Sequence, residues 1–202
     1  MTDHSIELII FDVGRVLIDF NFDRVVANLR KYCSLTDRQV RRYFETTPLW
    51  DRFEKGQVVP ELFFKQLTQD LKLKGLTFQK FVPVWNNIFT EKHDTIDVLR
   101  RLRGRYRVAT LSNVNVMHWE HIRGQHDFMH WFDFPMASYA VGYRKPDPEI
   151  FRVLLRQANV PPQKALFFDD VESHVQAARS IGIRAYRFVD ARQMMSDLGE
   201  VL

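Results

Sequence analysis

Three carboxylates (Asp12, Asp169 and Asp170), a hydroxyl and an amide side by side (Ser112 and Asn113), and one lysine (Lys145) sit where their types suit them for chemistry. Each acid closes an apolar run: Leu8 to Phe11 precedes Asp12, and Ala165 to Phe168 precedes Asp169 and Asp170. Ser112 and Asn113 close a third run, Tyr106 to Leu111. Short runs of β-branched and aromatic residues without polar alternation read as strands buried on both faces. In a parallel sheet such strands end along one edge, the place where open α/β sheets bind ligands. The acids would converge there, and like charges that close raise one another's pKa unless a cation sits among them. Oxygen donors with no His or Cys at metal-ligand spacing suit Mg2+ better than zinc.

Lys145 belongs to Gly142-Tyr143-Arg144-Lys145-Pro146-Asp147-Pro148, a cationic turn whose prolines start a helix. A lysine beside a carboxylate cluster and a hydroxyl is equipped to hold a phosphoryl group. Ser112 and backbone amides would donate to its oxygens, and Lys145 would offset the negative charge. Taken singly, Asp12 reads equally well as a loop cap, Ser112 as a strand cap and Lys145 as a surface lysine; together and in this order they favour function. Gly14, two residues past Asp12, lets the backbone leave the strand tightly and approach a ligand.

The elements that must position these groups fall into two kinds. After Leu17 to Phe22 comes a long region, to about Asp97, with no convincing buried strand, and helical patterning dominates it. Val25, Val26 and Leu29 share one face, and Thr36 with Gln39 fits a capping box. Pro60 fits the first turn of a helix with apolar positions Leu62, Phe63, Leu67 and Leu71. Thr77 to Phe89 carries a further stripe: Phe78, Phe81, Val82, Trp85 and Phe89. A stretch of ~80 residues is too long for a structureless loop, so a small helical domain over the strand ends is expected, placed to act as a lid.

From there on, helix and buried strand alternate. Helices are expected over Thr95 to Arg103, Val116 to Arg123, Pro148 to Gln157 and Val171 to Ile181, with an apolar stretch at Phe132 to Ala137 and a last strand from Ile183 to Val189. The fold class is therefore α/β: a Rossmann-like parallel sheet with helices on both faces, plus an inserted small helical cap. The expected division is residues 1–17 with 96–202 as the sheet domain and 18–95 as the cap.

Composition narrows the function classes. In 202 residues, 46% apolar and 27% charged content is ordinary for a globular protein, and no apolar stretch approaches the ~20 residues that span a bilayer. The start, MTDHSIE, has no basic region followed by an apolar one, so a cytoplasmic location is the expectation. Cys33 is the only cysteine, which excludes an internal disulfide and a thiolate cluster. The net charge of +4 is spread along the chain. Its densest group, Arg100, Arg101, Arg103, Arg105 and Arg107, alternates with apolar residues like a solvated helix face, and nucleic acid binding is not expected.

Four stretches in order, FDVGRV, LSN, GYRKPDPEIF and FFDDVESH, resemble the four motifs of the haloacid dehalogenase-like hydrolases, with a helical insertion after the first. The resemblance covers nearly the whole chain and is strongest to the helical-cap phosphatases related to the bacterial α-D-glucose-1-phosphate phosphatase. It implies a Mg2+-dependent phosphatase acting on a small phosphorylated metabolite, a sugar phosphate among the candidates. Asp12 would attack phosphorus to give an aspartyl phosphate that water hydrolyses. Asp12, the carbonyl of Gly14 and Asp169 would hold Mg2+, with Asp170 beside them ordering metal-bound water. Ser112 and Asn113 would bind phosphate, and Lys145 would bridge it to Asp12.

Two positions depart from the family pattern. Many of these phosphatases carry a second aspartate where this chain has Gly14, and it protonates the leaving oxygen, a contribution of ~10²–10⁴-fold in rate. Its loss points to a leaving group that needs little protonation or to an acid from substrate, water or cap. His174 stands where an asparagine is usual and reads as a substitute that supports the acids; Arg15 either meets anionic substrate or faces solvent. Two alternatives remain: a catalytically weakened binding or regulatory protein, and a 2-haloacid dehalogenase, which would need neither Mg2+ nor the paired aspartates. Oligomeric state is not legible.

Overall fold

The computed structural model describes residues 5–201. Its strands are β1 (Leu8–Phe11), β2 (Ile18–Phe20), β3 (Phe89–Glu91), β4 (Arg107–Ser112), β5 (Phe134–Ala137), β6 (Ala165–Asp169) and β7 (Arg184–Arg187). Five form one parallel sheet in the order β5-β4-β1-β6-β7, with β1 at the centre. The helices are α1 (Phe22–Arg30), α2 (Asp37–Thr46), α3 (Pro48–Glu54), α4 (Pro60–Asp70), α5 (Phe78–Asn86), α6 (His93–Leu102), α7 (Val116–Gln125), α8 (Ser138–Val141), α9 (Pro148–Ala158), α10 (Glu172–Ser180) and α11 (Ala191–Val201). None of them is long and apolar enough to cross a membrane.

The unbroken apolar character of β1 follows from its place. Leu8 and Ile10 point into a cluster shared with Phe151 and Leu154 of α9 and Val175 of α10. Ile9 and Phe11 point the other way, among Leu99 of α6, Ile122 of α7 and Met194 of α11. All four side chains are buried, as a strand with helices on both faces requires. At ~1.5–3 kcal/mol for each fully buried aliphatic or aromatic side chain, this strand anchors the sheet and fixes where its end points.

Helices α1 to α5 gather around a cluster of their own that includes Val26, Leu29, Val40, Phe53, Phe63, Leu67, Phe81 and Trp85. Their ends follow local rules: Thr36 and Gln39 form the reciprocal capping box, and Pro60 opens α4. Leu62 does not share the buried face of α4; it is 56% exposed while Phe63, Leu67 and Leu71 are buried. Two consecutive apolar residues on a helix lie about 100° apart, and the narrow face of α4 accommodates only one of them.

A second difference lies at the ends of this helical region. Ile18–Phe20 and Phe89–Glu91 pair antiparallel as a two-stranded ribbon, with Phe20 opposite Phe89. Phe89 thus leaves the stripe expected to run from Thr77, and α5 stops at Asn86. Three-residue strands carry too little periodicity to be seen in sequence.

The helical region also meets the sheet region directly beyond α3. The Ser138 hydroxyl donates to the Glu54 carbonyl at 2.6 Å and accepts from the Val114 amide at 2.9 Å. Gly56 has φ +68°, and a Cβ there would sit 2.1 Å from the Tyr139 carbonyl oxygen. Only a glycine allows the two backbones to come this close.

Candidate active site

Parallel register brings the three acids together. Phe11 lies opposite Thr110 of β4 and Phe168 of β6, and the Asp12 amide donates to the Phe168 carbonyl at 2.9 Å. Asp12 and Asp169 therefore emerge side by side, and Asp12, Asp169 and Asp170 each offer a carboxylate oxygen within 4.8 Å of the others. Lys145 is buried against them, its Nζ 3.0 Å from Asp12 Oδ1 and 2.6 Å from Asp169 Oδ2.

The two neighbouring carboxylates respond oppositely to this setting. Burial pushes Asp12 up to about 7, against the pull of Lys145 and with Asp169 and Asp170 adding to the rise. Burial also opposes ionisation of Asp169, but Lys145 and His174 outweigh it and hold that carboxyl down at about 2. Asp170 is raised by burial and by the charge of Asp169. One lysine does not neutralise three acids. A hard cation among these oxygens would complete the charge balance, and the donor set fits Mg2+.

Ser112, buried, ends β4 beside this cluster. Asn113 does something the sequence does not reveal: its Nδ2 donates to the Lys145 carbonyl and its Oδ1 accepts from the Lys145 amide, both at 2.8 Å. These contacts fix the lysine loop and use one N–H of Nδ2, so the second amide hydrogen and the hydroxyl of Ser112 are the side-chain donors expected at this strand end. His174 Nδ1 lies 3.0 Å from Asp169 Oδ1 and 3.1 Å from Oδ2, so it supports Asp169 and not Asp170. Arg15 is half exposed, stacks over the Phe20 ring at 4.4 Å and lies 3.9 Å from Asp19.

A cleft of about 100 Å3 opens beside the strand ends, lined by Gly14, Ser112 and Asn113 together with Phe22, Trp50 and Glu54. Phe20 lies at its edge, 3.3 Å from where a Cβ on Gly14 would be. His118, also in the lining, is bound at both ring nitrogens, to Asn115 and to the Trp85 carbonyl, and burial lowers it to about 3, so it stays neutral. Glu54 and Arg144 are the polar residues that sequence reading passes over. Arg144 reaches Asp51 Oδ1 and Glu54 Oε2, each at 2.8 Å. Arg144 lies 90 or more positions from both partners in sequence, and no local pattern announces the pairing.

A family profile described as haloacid dehalogenase-like hydrolase matches residues 6–182, which includes every group above. The chain belongs to the haloacid dehalogenase-like hydrolases. Among members of that family, it is 29% identical to D-ribitol-5-phosphate phosphatase of Bacteroides thetaiotaomicron, over 98% of each chain. It is 26% identical to a sesquiterpene phosphatase of Aspergillus oryzae, over 96% of this chain and 95% of that one. A solved family enzyme from Bacteroides thetaiotaomicron, crystallised with magnesium and inorganic phosphate, superposes with a TM-score of 0.81 at 26% identity, covering 91% of this chain and 94% of the other. The expected parallel α/β fold of the haloacid dehalogenase-like hydrolases is thus the fold observed.

Proposed function

We propose that this protein is a Mg2+-dependent phosphatase that hydrolyses a small phosphorylated metabolite by way of an aspartyl phosphate on Asp12. The observation that carries this reading is the Lys145 ammonium held between Asp12 and Asp169 while a third acid, Asp170, stands within reach of both. Such a centre has a nucleophile, a fixed positive charge and unbalanced oxygen donors for a cation.

Asp12 attacks phosphorus, and Lys145 lies where it faces both the attacking carboxylate and the phosphoryl oxygens. Ser112 and backbone amides at the β4 end donate to those oxygens, and Asn113 keeps Lys145 in place. Asp12, the Gly14 carbonyl and Asp169 would hold Mg2+, with Asp170 binding its water; the ion, when bound, draws charge from the phosphoryl oxygens. His174 orients Asp169.

Residues 18–95 serve as the cap and residues 1–17 with 96–202 as the catalytic domain. A sugar or polyol phosphate is the favoured substrate class, supported by the ribitol-5-phosphate phosphatase among the relatives. Ionised metabolites of this kind do not cross membranes unaided, which fits a cytoplasmic site of action. Nucleic acid has no part in this reading: Arg100 and Arg103 lie against the Trp131 ring, and Arg107 pairs with Glu7.

Phosphate release from sugar, polyol, acyl and p-nitrophenyl phosphates, with and without Mg2+, tests the reading beside Asp12→Asn. Turnover that needs Mg2+ and disappears in the variant is the expected result. Failure on every ester would transfer the protein to the binding or regulatory class, and halide release from a 2-haloacid would make it a dehalogenase.

A further inference from the structure

Position 14 is a glycine, so the loop that follows Asp12 offers no carboxyl to protonate a leaving group. The helical region does offer one in the lining of the same cleft. Glu54, the last residue of α3, is buried and lines the same cleft as Gly14 and Ser112. We propose that Glu54 is the proton donor to the leaving oxygen, supplied by the helical region in place of the acid that position 14 lacks. This inference rests on the phosphatase reading and deepens it.

Four features make Glu54 suited to the task. Its Oε2 is enclosed and approached by the Arg144 guanidinium at 2.8 Å, yet outside hydrogen-bond geometry, so that oxygen has a neighbouring charge but no donor directed at it. The charged groups that act on it are Arg144, Asp51, Asp12 and Lys145, which places it within electrostatic reach of the reacting centre. Burial lifts it to about 7, the range in which a carboxyl both holds and yields a proton at neutral pH. Its backbone is fixed as well, because the Ser138 hydroxyl holds the Glu54 carbonyl at 2.6 Å.

The proton balance closes over two steps. As an Asp12 oxygen bonds to phosphorus, the bond from phosphorus to the leaving oxygen breaks, and the Glu54 proton passes to that oxygen, giving an alcohol. Glu54, now a carboxylate beside Arg144, then takes a proton from the water that attacks phosphorus. The bond from phosphorus to Asp12 breaks, inorganic phosphate leaves, and both carboxyl groups return to their starting states.

A purely structural Glu54, latching α3 to the Arg144 loop, would affect all substrates alike, whereas a proton donor matters in proportion to how poor the leaving group is. The test compares kcat on a polyol phosphate with kcat on p-nitrophenyl phosphate, whose leaving group departs without a proton. Glu54→Gln should lose ~10²–10³-fold on the former and at most about tenfold on the latter. Glu54→Asp keeps a carboxyl group beside Arg144 and serves as the second variant; it should show the same bias more weakly. Adding Gly14→Asp to Glu54→Gln should recover part of the polyol phosphate activity, since only the edge of the Phe20 ring has to yield to the new side chain. Equal losses on both esters, or no loss on either, would overturn the assignment while leaving the phosphatase reading intact. A wild-type protein inactive on every ester would remove both.

Discussion

Asn113 grips Lys145 by its backbone from both sides, its amide nitrogen on the carbonyl and its amide oxygen on the N–H, each at 2.8 Å. The lysine that faces Asp12 is thus positioned by the residue at the end of the neighbouring strand, 32 positions earlier in the chain. Asn113→Ala would leave the Lys145 amide and carbonyl unpaired, at ~1–3 kcal/mol of stability. Thermal melts should show that loss. Steady-state kinetics should show kcat falling more than KM rises, because the ammonium drifts from the reacting atoms while Ser112 stays.

Lys145→Met should be severely destabilising when a chelator is present. It leaves Asp12 and Asp169 buried without their cation, an uncompensated arrangement that costs ~3–5 kcal/mol. Urea titrations with EDTA and with Mg2+ would measure this, and the metal should recover more stability in the variant than in the wild type. Equal effects of Mg2+ on both proteins would count against a metal site at these acids.

Glu54 ties stability to pH. Its folded value of about 7 lies above the ordinary carboxyl value of 4.5, so the folded state holds this proton more tightly than the unfolded chain does. Stability should therefore fall as pH rises from about 4.5 to about 7 and level off above that. The difference between wild type and Glu54→Gln in chelator isolates this group, and it should change by on the order of 3 kcal/mol between pH 4.5 and 8. Asp169 acts in the opposite sense: its depressed value stabilises the fold above the ordinary carboxyl range and that contribution is lost as pH falls toward about 2.

Gly56→Ala should disturb the seam between the helical region and the sheet region. The new methyl would sit 2.1 Å from a backbone oxygen, at a residue with φ +68°, so neither neighbour can move aside cheaply. A loss of ~1–3 kcal/mol is expected from the clash, with further strain from the backbone. Polyol phosphate turnover should fall with it, because Glu54 lies two residues away. Ser138→Ala, which removes the hydroxyl bridging Glu54 and Val114, should weaken the same seam without any clash.

The sheet and its acids were legible because their signals are local. Leu8 to Phe11 and Ala165 to Phe168 are apolar without alternation, and each leads into an acid, so strand and candidate site are announced together. The helical insertion was legible from Thr36, Pro60 and the aromatic stripe, although Leu62 shows that an apolar residue beside a buried one can face solvent. Glu54, Arg144 and Ser138 were not legible. Glu54 acquires its character only when Arg144, Asp51 and Lys145 fold around it, and burial by distant elements leaves no mark on its own neighbours in sequence. The lysine clamp of Asn113 was hidden for the same reason: its partner is a backbone, which every residue has.

The short ribbon of Ile18–Phe20 and Phe89–Glu91 has an architectural consequence. Phe20 and Phe89 are cross-strand partners, so the chain leaves the sheet region and returns to it at adjacent points. The intervening segment is therefore anchored twice: at this paired junction, and again at the seam where Glu54 and Gly56 meet Ser138 and Tyr139. A chain that enters and leaves at one point and is held at a second can carry Glu54 to the strand ends from α3 without a long connection across the sheet.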